Sequence, residues 1–287
     1  MAAFRSGFVA VVGRPNVGKS TLVNTIVGEK VTITSSKPGT TRRAIRGVLH
    51  AEQSQAVLVD TPGLHKPRSV LGERLNENVG SALADTDVVV ALVDARSPVG
   101  PGDRRVLESA LAARGTSGLL VAVNKIDVAS RSEVVERLVE ANEAAPSSEV
   151  FAISGTTGEG VDALVETFFS LLPEGPPYFP EGTSSDLTES FRVAEMVREA
   201  LLSRVEDELP HSIACRVTDW EWPYIRLEIL VERESQKGIV IGRGGSVLKE
   251  VGSAVRQELP VGTYLDLKVR VEPRWQQRRD AIERLGY

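Results

Sequence analysis

The sequence predicts an α/β domain with a doubly wound, mostly parallel sheet, followed by a smaller α+β domain. Three observations carry this. Val- and Ile-rich runs alternate with helical stretches over the first 172 residues. A proline-rich break follows. Beyond it the apolar residues fall at every second position in two segments.

The runs "GFVAVVG", "AVLVDTPG", "DVVVALVDA", "GLLVAVNKID" and "EVFAISG" are continuous apolar segments that end in glycine or polar residues. Such segments read as parallel strands buried on both faces. Between and after them lie "STLVNTIVG", "RRVLESALAARG", "SEVVERLVEANEAA" and "VDALVETFFSLL", with helical spacing. A ligand belongs at the C-terminal ends of such strands. The domain is assigned to residues 1–172. "PEGPPYFPEG" then has four prolines and two glycines in ten residues, which no helix or central strand accommodates. It opens a linker, residues 173–186. From 187 to 287, "TESFRVAEMVREALLSRVEDEL" has helical spacing. "YIRLEILVE" and "YLDLKVRVE" alternate as strands with one solvated face.

With 41% apolar and 25% charged residues, the 287-residue chain can build ordinary globular cores. Its single cysteine, Cys215, excludes an internal disulfide. No run approaches the ~18 apolar residues of a spanning helix, and a cytoplasmic protein without a transmembrane segment is expected. The net charge of −5 argues against general nucleic-acid binding, so any basic surface must be local.

"GRPNVGKS" comprises Gly13, Arg14, Pro15, Asn16, Val17, Gly18, Lys19 and Ser20, with Thr21 next. It fits the phosphate loop G-x-x-x-x-G-K-[ST], and it follows a strand and opens a helix. Backbone N–H groups and the helix N-terminus would cradle phosphates. Lys19 would reach the β- and γ-phosphates, and Ser20 would ligate Mg²⁺. "DTPG" (Asp60, Thr61, Pro62, Gly63) places an acid where it can hold Mg²⁺ through water, and Gly63 can offer its N–H to the γ-phosphate. In "NKID", the Asp127 carboxylate can accept two hydrogen bonds from guanine, which adenine does not offer, while Asn124 and the Lys125 stem support the ring. In "SGTTGEG", the backbone of Ser154 and Gly155 can touch the base edge; the alternative is a plain glycine turn. In "KPGTTRR", the Thr41 hydroxyl, or that of Thr40, can complete the Mg²⁺ shell when the γ-phosphate is present.

A second glycine loop, "GIVIGRGGSV", lacks both the phosphate-loop and the dinucleotide spacing. It fits I-G-x-x-G at Ile241, Gly242, Arg243, Gly244 and Gly245. A G-x-x-G loop between two helices against a sheet is the KH arrangement, which clamps about four single-stranded nucleotides. A helix–helix turn is the alternative. From residue 186 on, 16 basic side chains face 18 acidic ones, so the domain is not basic overall. Lys237, Arg243 and Lys249 nevertheless occur with no acid among them, and Lys268, Arg270, Arg274, Arg278 and Arg279 are interrupted by Glu272 alone. Such a stripe suits a short single-stranded site.

The ordered set GRPNVGKS, GTTRR, DTPG, NKID and ISG resembles the translation-factor-like GTPases. With "DTPGLHKP" and the C-terminal glycine loop, the whole chain resembles the Era family. That resemblance implies a GTPase domain cycling between GTP and GDP with Mg²⁺, and a type II KH domain that binds small-subunit ribosomal RNA during assembly of the small ribosomal subunit. Peripheral contact with the inner membrane face, or docking on protein, is the alternative it leaves open. Leu64 stands where Ras-like proteins carry the glutamine that orients water. By the same resemblance, Asn16 with a TTR-type loop goes with a bound K⁺ that replaces the missing charge; a loop-capping role for Asn16 is the alternative.

Overall fold

The computed structural model describes residues 3–64, 67, 69–206 and 209–287. His65 and Lys66 of "DTPGLHKP", and Asp207 and Glu208 of the helical stretch after the linker, lie outside them. The chain divides into two units. The first comprises Met1–Thr32, Thr41–Lys66 and Arg74–Asp186; the second comprises Ile33–Thr40, Pro67–Glu73 and Leu187–Tyr287.

The first unit holds β1 (Arg5–Gly13), α1 (Lys19–Val27), β2 (Ile45–Ala51), β3 (Ser54–Asp60), β4 (Val88–Asp94), α3 (Pro101–Arg114), β5 (Leu119–Asn124), α4 (Arg131–Ala144), β6 (Glu149–Ile153) and α5 (Val161–Leu171). Helix α2 (Val70–Ala84) precedes β4. The sheet order is β2-β3-β1-β4-β5-β6, and every pairing is parallel except β2 with β3. Successive β1 residues face opposite sides. Val9 and Val11 join Leu22 and Ile26 of α1 and Phe168 of α5 in one core. Ala10 and Val12 join Val106 and Leu107 of α3 and Ala141 of α4 in the other. This two-sided burial is why the strands lack alternation. Parallel pairing brings the C-terminal ends of β1, β3, β5 and β6 to one edge, where Val11 faces Asp60 and Asn124 faces Ile153.

Two elements before the linker escape the sequence pattern. In β2, Gly47 replaces an apolar residue because a Cβ there would meet Val27 Cγ2 at 2.8 Å. Helix α2 buries a stripe of single apolar residues four apart, Leu71, Leu75, Val79 and Leu83, separated by polar and small residues that mask it in the chain.

Residues 173–186 are not a loose tether. They run along the first unit, turning at Glu181 and Gly182, with bridges from Arg5 to Glu174 and from Gly47 to Ser185. Gln55 Oε1 accepts from the Tyr178 and Phe179 amides at 2.7 and 3.0 Å, and the Tyr178 ring packs edge-on against Phe8.

The second unit holds α6 (Glu189–Leu202), α7 (Leu209–Ser212), β7 (Ala214–Glu221), β8 (Tyr224–Val231), α8 (Glu234–Ile241), α9 (Ser246–Gln257), β9 (Tyr264–Val271) and α10 (Arg279–Arg284). Thr188 caps α6 by accepting from the Phe191 amide at 3.3 Å. The sheet order is β7-β8-β9, with β7 antiparallel and β9 parallel to β8. Ile225, Leu227, Ile229, Leu265 and Val269 pack on one face against Val197, Val240, Val251 and Val255 of the helices. The other face stays open, with Tyr224, Arg226, Tyr264, Asp266 and Lys268 exposed.

Candidate functional site

Around Asp60 the phosphate loop and three hydroxyls converge. Asp60 is fully buried at the end of β3. Its Oδ2 accepts from Ser20 at 2.7 Å, Thr32 at 2.8 Å and Thr41 at 3.2 Å, and Ser20 and Thr41 lie 3.0 Å apart. Its Oδ1 has no hydrogen-bond partner among the described residues. Burial pushes the Asp60 carboxyl up from its ordinary range, against the pull of Lys19 and the three hydroxyls. A buried carboxylate with one orphaned oxygen, ringed by hydroxyl ligands, is a set of hard oxygen donors that fits Mg²⁺. No group of three or more His, Cys, Asp or Glu that could hold a metal ion occurs among the described residues.

Lys19, at the first turn of α1, is 6% exposed. Its Nζ donates to the Gly13 and Arg14 carbonyls at 3.2 and 3.1 Å. Burial lowers its pKa to about 8, despite the attraction of Asp60. A buried ammonium resting on carbonyls is held ready for an anion. Gly63 is pressed against this loop: a Cβ there would come within 2.8 Å of the Pro15 nitrogen. Pro62 precedes it. Thr61 is buried and spends its hydroxyl on the Val11 carbonyl at 2.8 Å, which fixes the β3 end rather than reaching outward.

The structure separates the two switch threonines. Thr41 reaches Asp60, whereas Thr40 donates to the Lys37 carbonyl at 2.7 Å. Arg14, grouped in the sequence with the phosphate-contacting loop, turns its side chain to Asp103 of α3 at 3.1 Å. Val17 is buried, Thr21 half-buried, and Leu64 packs against the α3/α4 core.

At the neighbouring strand ends, the Asn124 side chain ties two loops together. It is buried. Its Nδ2 donates to the Val17 carbonyl at 2.9 Å, and its Oδ1 accepts from the Gly155 amide at 2.8 Å. Both ends of the amide are used to staple the phosphate loop to the Ser154 loop. Gly18 makes room for this staple, since a Cβ there would lie 2.4 Å from Asn124 Nδ2, and its φ of 99° favours glycine. Lys125 donates to the Asn16 carbonyl at 2.5 Å and to Asp94 at 2.7 Å. Asp94 was not marked by any motif. Partial burial would raise its pKa, but bonds from Arg96 and Lys125 hold it at about 2. Asp127 is exposed. Its Oδ1 accepts from the buried Ser154 hydroxyl at 2.7 Å, which aims the carboxylate; Oδ2 accepts no hydrogen bond from the described residues.

The second glycine loop joins α8 to α9. Gly242, Gly244 and Gly245 have φ of 75°, 60° and 81°. At Gly242 a Cβ would also strike Val247 Cγ2 at 2.7 Å, whereas above Gly244 and Gly245 there is open space. Ile241 packs on the core beneath the loop. Arg243 and Lys249 are exposed and Lys237 is half-buried. The second basic stripe is weaker than the sequence implied. Arg278 pairs with Asp280 at 2.6 Å and Glu272 at 3.4 Å, and Arg270 approaches Glu228 at 3.9 Å.

Fold and site together define a P-loop GTPase domain followed by a KH domain. Residues 8–125 match the family described as 50S ribosome-binding GTPase, and residues 208–276 match the KH domain family. The chain is 44% identical to GTPase Era of Mycolicibacterium smegmatis and 46% identical to GTPase Era of Mycobacterium tuberculosis, covering the whole of both chains in each case. Among solved structures it is 36% identical to Era in complex with MgGDPNP and nucleotides 1506–1542 of 16S ribosomal RNA, with TM-score 0.93 and 99% of each chain covered. It is likewise 36% identical to Aquifex aeolicus Era bound to GDP and AlF4⁻, with TM-score 0.94 and 99% of each chain covered. The chain belongs to the Era GTPase family.

Proposed function

We propose that the protein hydrolyses GTP to GDP and phosphate and, through its KH domain, binds small-subunit ribosomal RNA in assembly of the small ribosomal subunit. The observation that carries the reading is the convergence of Ser20, Thr41 and Thr32 on the buried Asp60 beside Lys19. When bound, Mg²⁺ supplies Lewis-acid neutralisation of charge on the β- and γ-phosphates. Ser20 and Thr41 would be its hydroxyl ligands, and Asp60 would hold it through water.

Lys19 leaves its carbonyl partners for the phosphates. The N–H of Gly63 meets the γ-phosphate, close to the loop because no side chain intervenes. The phosphate-loop backbone, from Gly13 through Pro15, Val17 and Gly18 to Thr21, wraps the remaining phosphate oxygens. Asp127 reads guanine, with Ser154 orienting it and the Gly155 backbone at the base edge. Leucine at position 64 cannot hydrogen-bond water; Asn16 would help hold a K⁺, which would supply the missing positive charge. In the KH domain, the Gly242–Gly245 backbone admits the phosphates of the strand, and Arg243, Lys237 and Lys249 neutralise them.

Among the described residues no helix is long and apolar enough to cross a membrane. Crosslinking in cells followed by sequencing of the bound RNA tests the reading. Enrichment of the 3′ end of small-subunit ribosomal RNA is expected. Enrichment of unrelated RNA, or of none, overturns the RNA assignment.

A further inference from the structure

Within the second unit, helix α6 holds a segment that comes from the beginning of the chain. This unit includes Ile33–Thr40, the residues leading directly into Thr41. Glu199 Oε1 accepts from the Thr34 amide at 2.9 Å and from the Thr34 hydroxyl at 3.3 Å. From the preceding residue of the same helix, the Arg198 guanidinium donates to the Thr40 carbonyl. Both ends of the segment are thus fastened to adjacent residues of one helix.

Arg198 is fully buried, and its Nε donates to the buried Glu195 at 2.7 Å. An arginine in an apolar core is costly unless its charge is paired. Glu195 supplies that charge, and its bidentate grip fixes the plane of the guanidinium, leaving Nη2 aimed at Thr40. The neighbours of Arg198 on α6, Val193, Val197 and Leu201, belong to the core beneath the KH sheet. A helix that merely completed this core could do so with an aliphatic residue at 198 at lower desolvation cost. The buried charge is explained if the backbone of residue 40 is what it holds.

We propose that Arg198 and Glu199 are positioning residues: they fix the backbone of residues 33–40, set how Thr41 is presented to the nucleotide site, and thereby link nucleotide state to the RNA-binding domain. The inference rests on the reading of Thr41 as the nucleotide-sensing hydroxyl and of the KH domain as the RNA site. Thr41 is the next residue after the one Arg198 grips, and its hydroxyl lies on Asp60 and Ser20. A change in nucleotide that moves Thr41 must therefore strain or release the Thr40 contact. By reciprocity, RNA that stabilises one arrangement of α6 must change GTP affinity by the same factor.

The test uses the full chain with Glu199→Ala and, separately, Arg198→Lys. Alanine suits a helix, and lysine keeps the positive charge beside Glu195 while losing the forked geometry, so both variants should fold. The affinity for RNA nucleotides 1506–1542 of 16S ribosomal RNA is measured with GDP and with GDPNP bound. Amide hydrogen exchange is followed at residues 34–41. The parent should show a nucleotide-dependent ratio of affinities of about 5-fold or more. Each variant should bring that ratio below about 2-fold, with faster exchange at 34–41 and unchanged RNA affinity in the GDP form. A parental ratio in both variants, or a ratio of one in the parent, overturns the proposal. Failure of the RNA reading is distinguishable: the parent then binds the RNA in neither nucleotide state, or binds it independently of Arg243.

Discussion

The two glycine loops of this chain solve one problem in opposite ways. Around the first, glycine is demanded by what surrounds it: Asn124 crowds Gly18, and Pro15 crowds Gly63. The loop is wired by Asn124 and Lys125 to two other strand ends, and its lysine is buried. Around Gly244 and Gly245 of the second there is no neighbour at all, and the glycines answer to backbone conformation. The first loop is shaped to enclose a small anion. The second presents itself to a strand of nucleic acid that arrives from outside. Enclosure gives discrimination among mononucleotides, while an open tip accepts a polymer whose ends lie elsewhere.

That contrast can be broken most forcefully at Lys19. Lys19→Ala should weaken GTP by about 3–5 kcal/mol, because phosphate charge is left unpaired in an enclosed site. RNA affinity in the nucleotide-free protein should not change. Calorimetry with GTP checks this, and normal hydrolysis by the variant would remove the phosphate-loop assignment. Next comes the open loop. Replacing Arg243 and Gly244 together by aspartate should cost ~2–4 kcal/mol of affinity for short single-stranded RNA at low salt, with RNA-free GTP hydrolysis near the parental rate. Fluorescence anisotropy and a phosphate-release assay measure the two effects; intact RNA affinity would reduce the loop to a turn.

Asp127→Asn tests the exposed end of the enclosed site. GTP should weaken by roughly 1.5–3 kcal/mol, and xanthosine nucleotides should gain, since an amide can donate to the xanthine oxygen. Competition binding with the two nucleotides decides it. A smaller effect follows from the lowered pKa of Lys19. With a pKa of about 8 in the free protein, its ammonium is present below pH 8 and lost above it. Bound phosphates favour the charged form, so GTP affinity should fall as pH rises above 8, by at most about tenfold per unit. A flat titration from pH 7 to 9.5 would contradict it. The smallest expected effect is ionic: turnover should be a few-fold faster in K⁺ than in Na⁺, about 1 kcal/mol, and Asn16→Ala should erase the difference.

Much of this was legible in the sequence because it depends on short-range order. Buried strands, motif spacing and the ordered glycines are local signals, and they locate Lys19, Asp60, Asp127 and Arg243 directly. What was not legible depends on partners far apart in the chain. The Asn124 staple joins residues 17 and 155, and the Thr32 hydroxyl finds Asp60 only once β3 is in place. Strand β7 was hidden for another reason: a bulge between Val217 and Asp219 breaks the alternation that would have announced it. Proline and glycine at 173–182 mark a break in regular structure, but composition does not reveal that Gln55 fastens the chain there.

The open space over Gly244 and Gly245 has a stereochemical consequence. At Gly242 a methyl group collides with Val247, so that position excludes side chains by volume. At 244 and 245 nothing is excluded by volume, and an L residue is disfavoured by handedness alone. A mirror-image D-alanine introduced by chemical synthesis escapes the objection of handedness there. It would occupy the left-handed region as its natural ground state and remove the freedom that glycine retains in the unfolded chain.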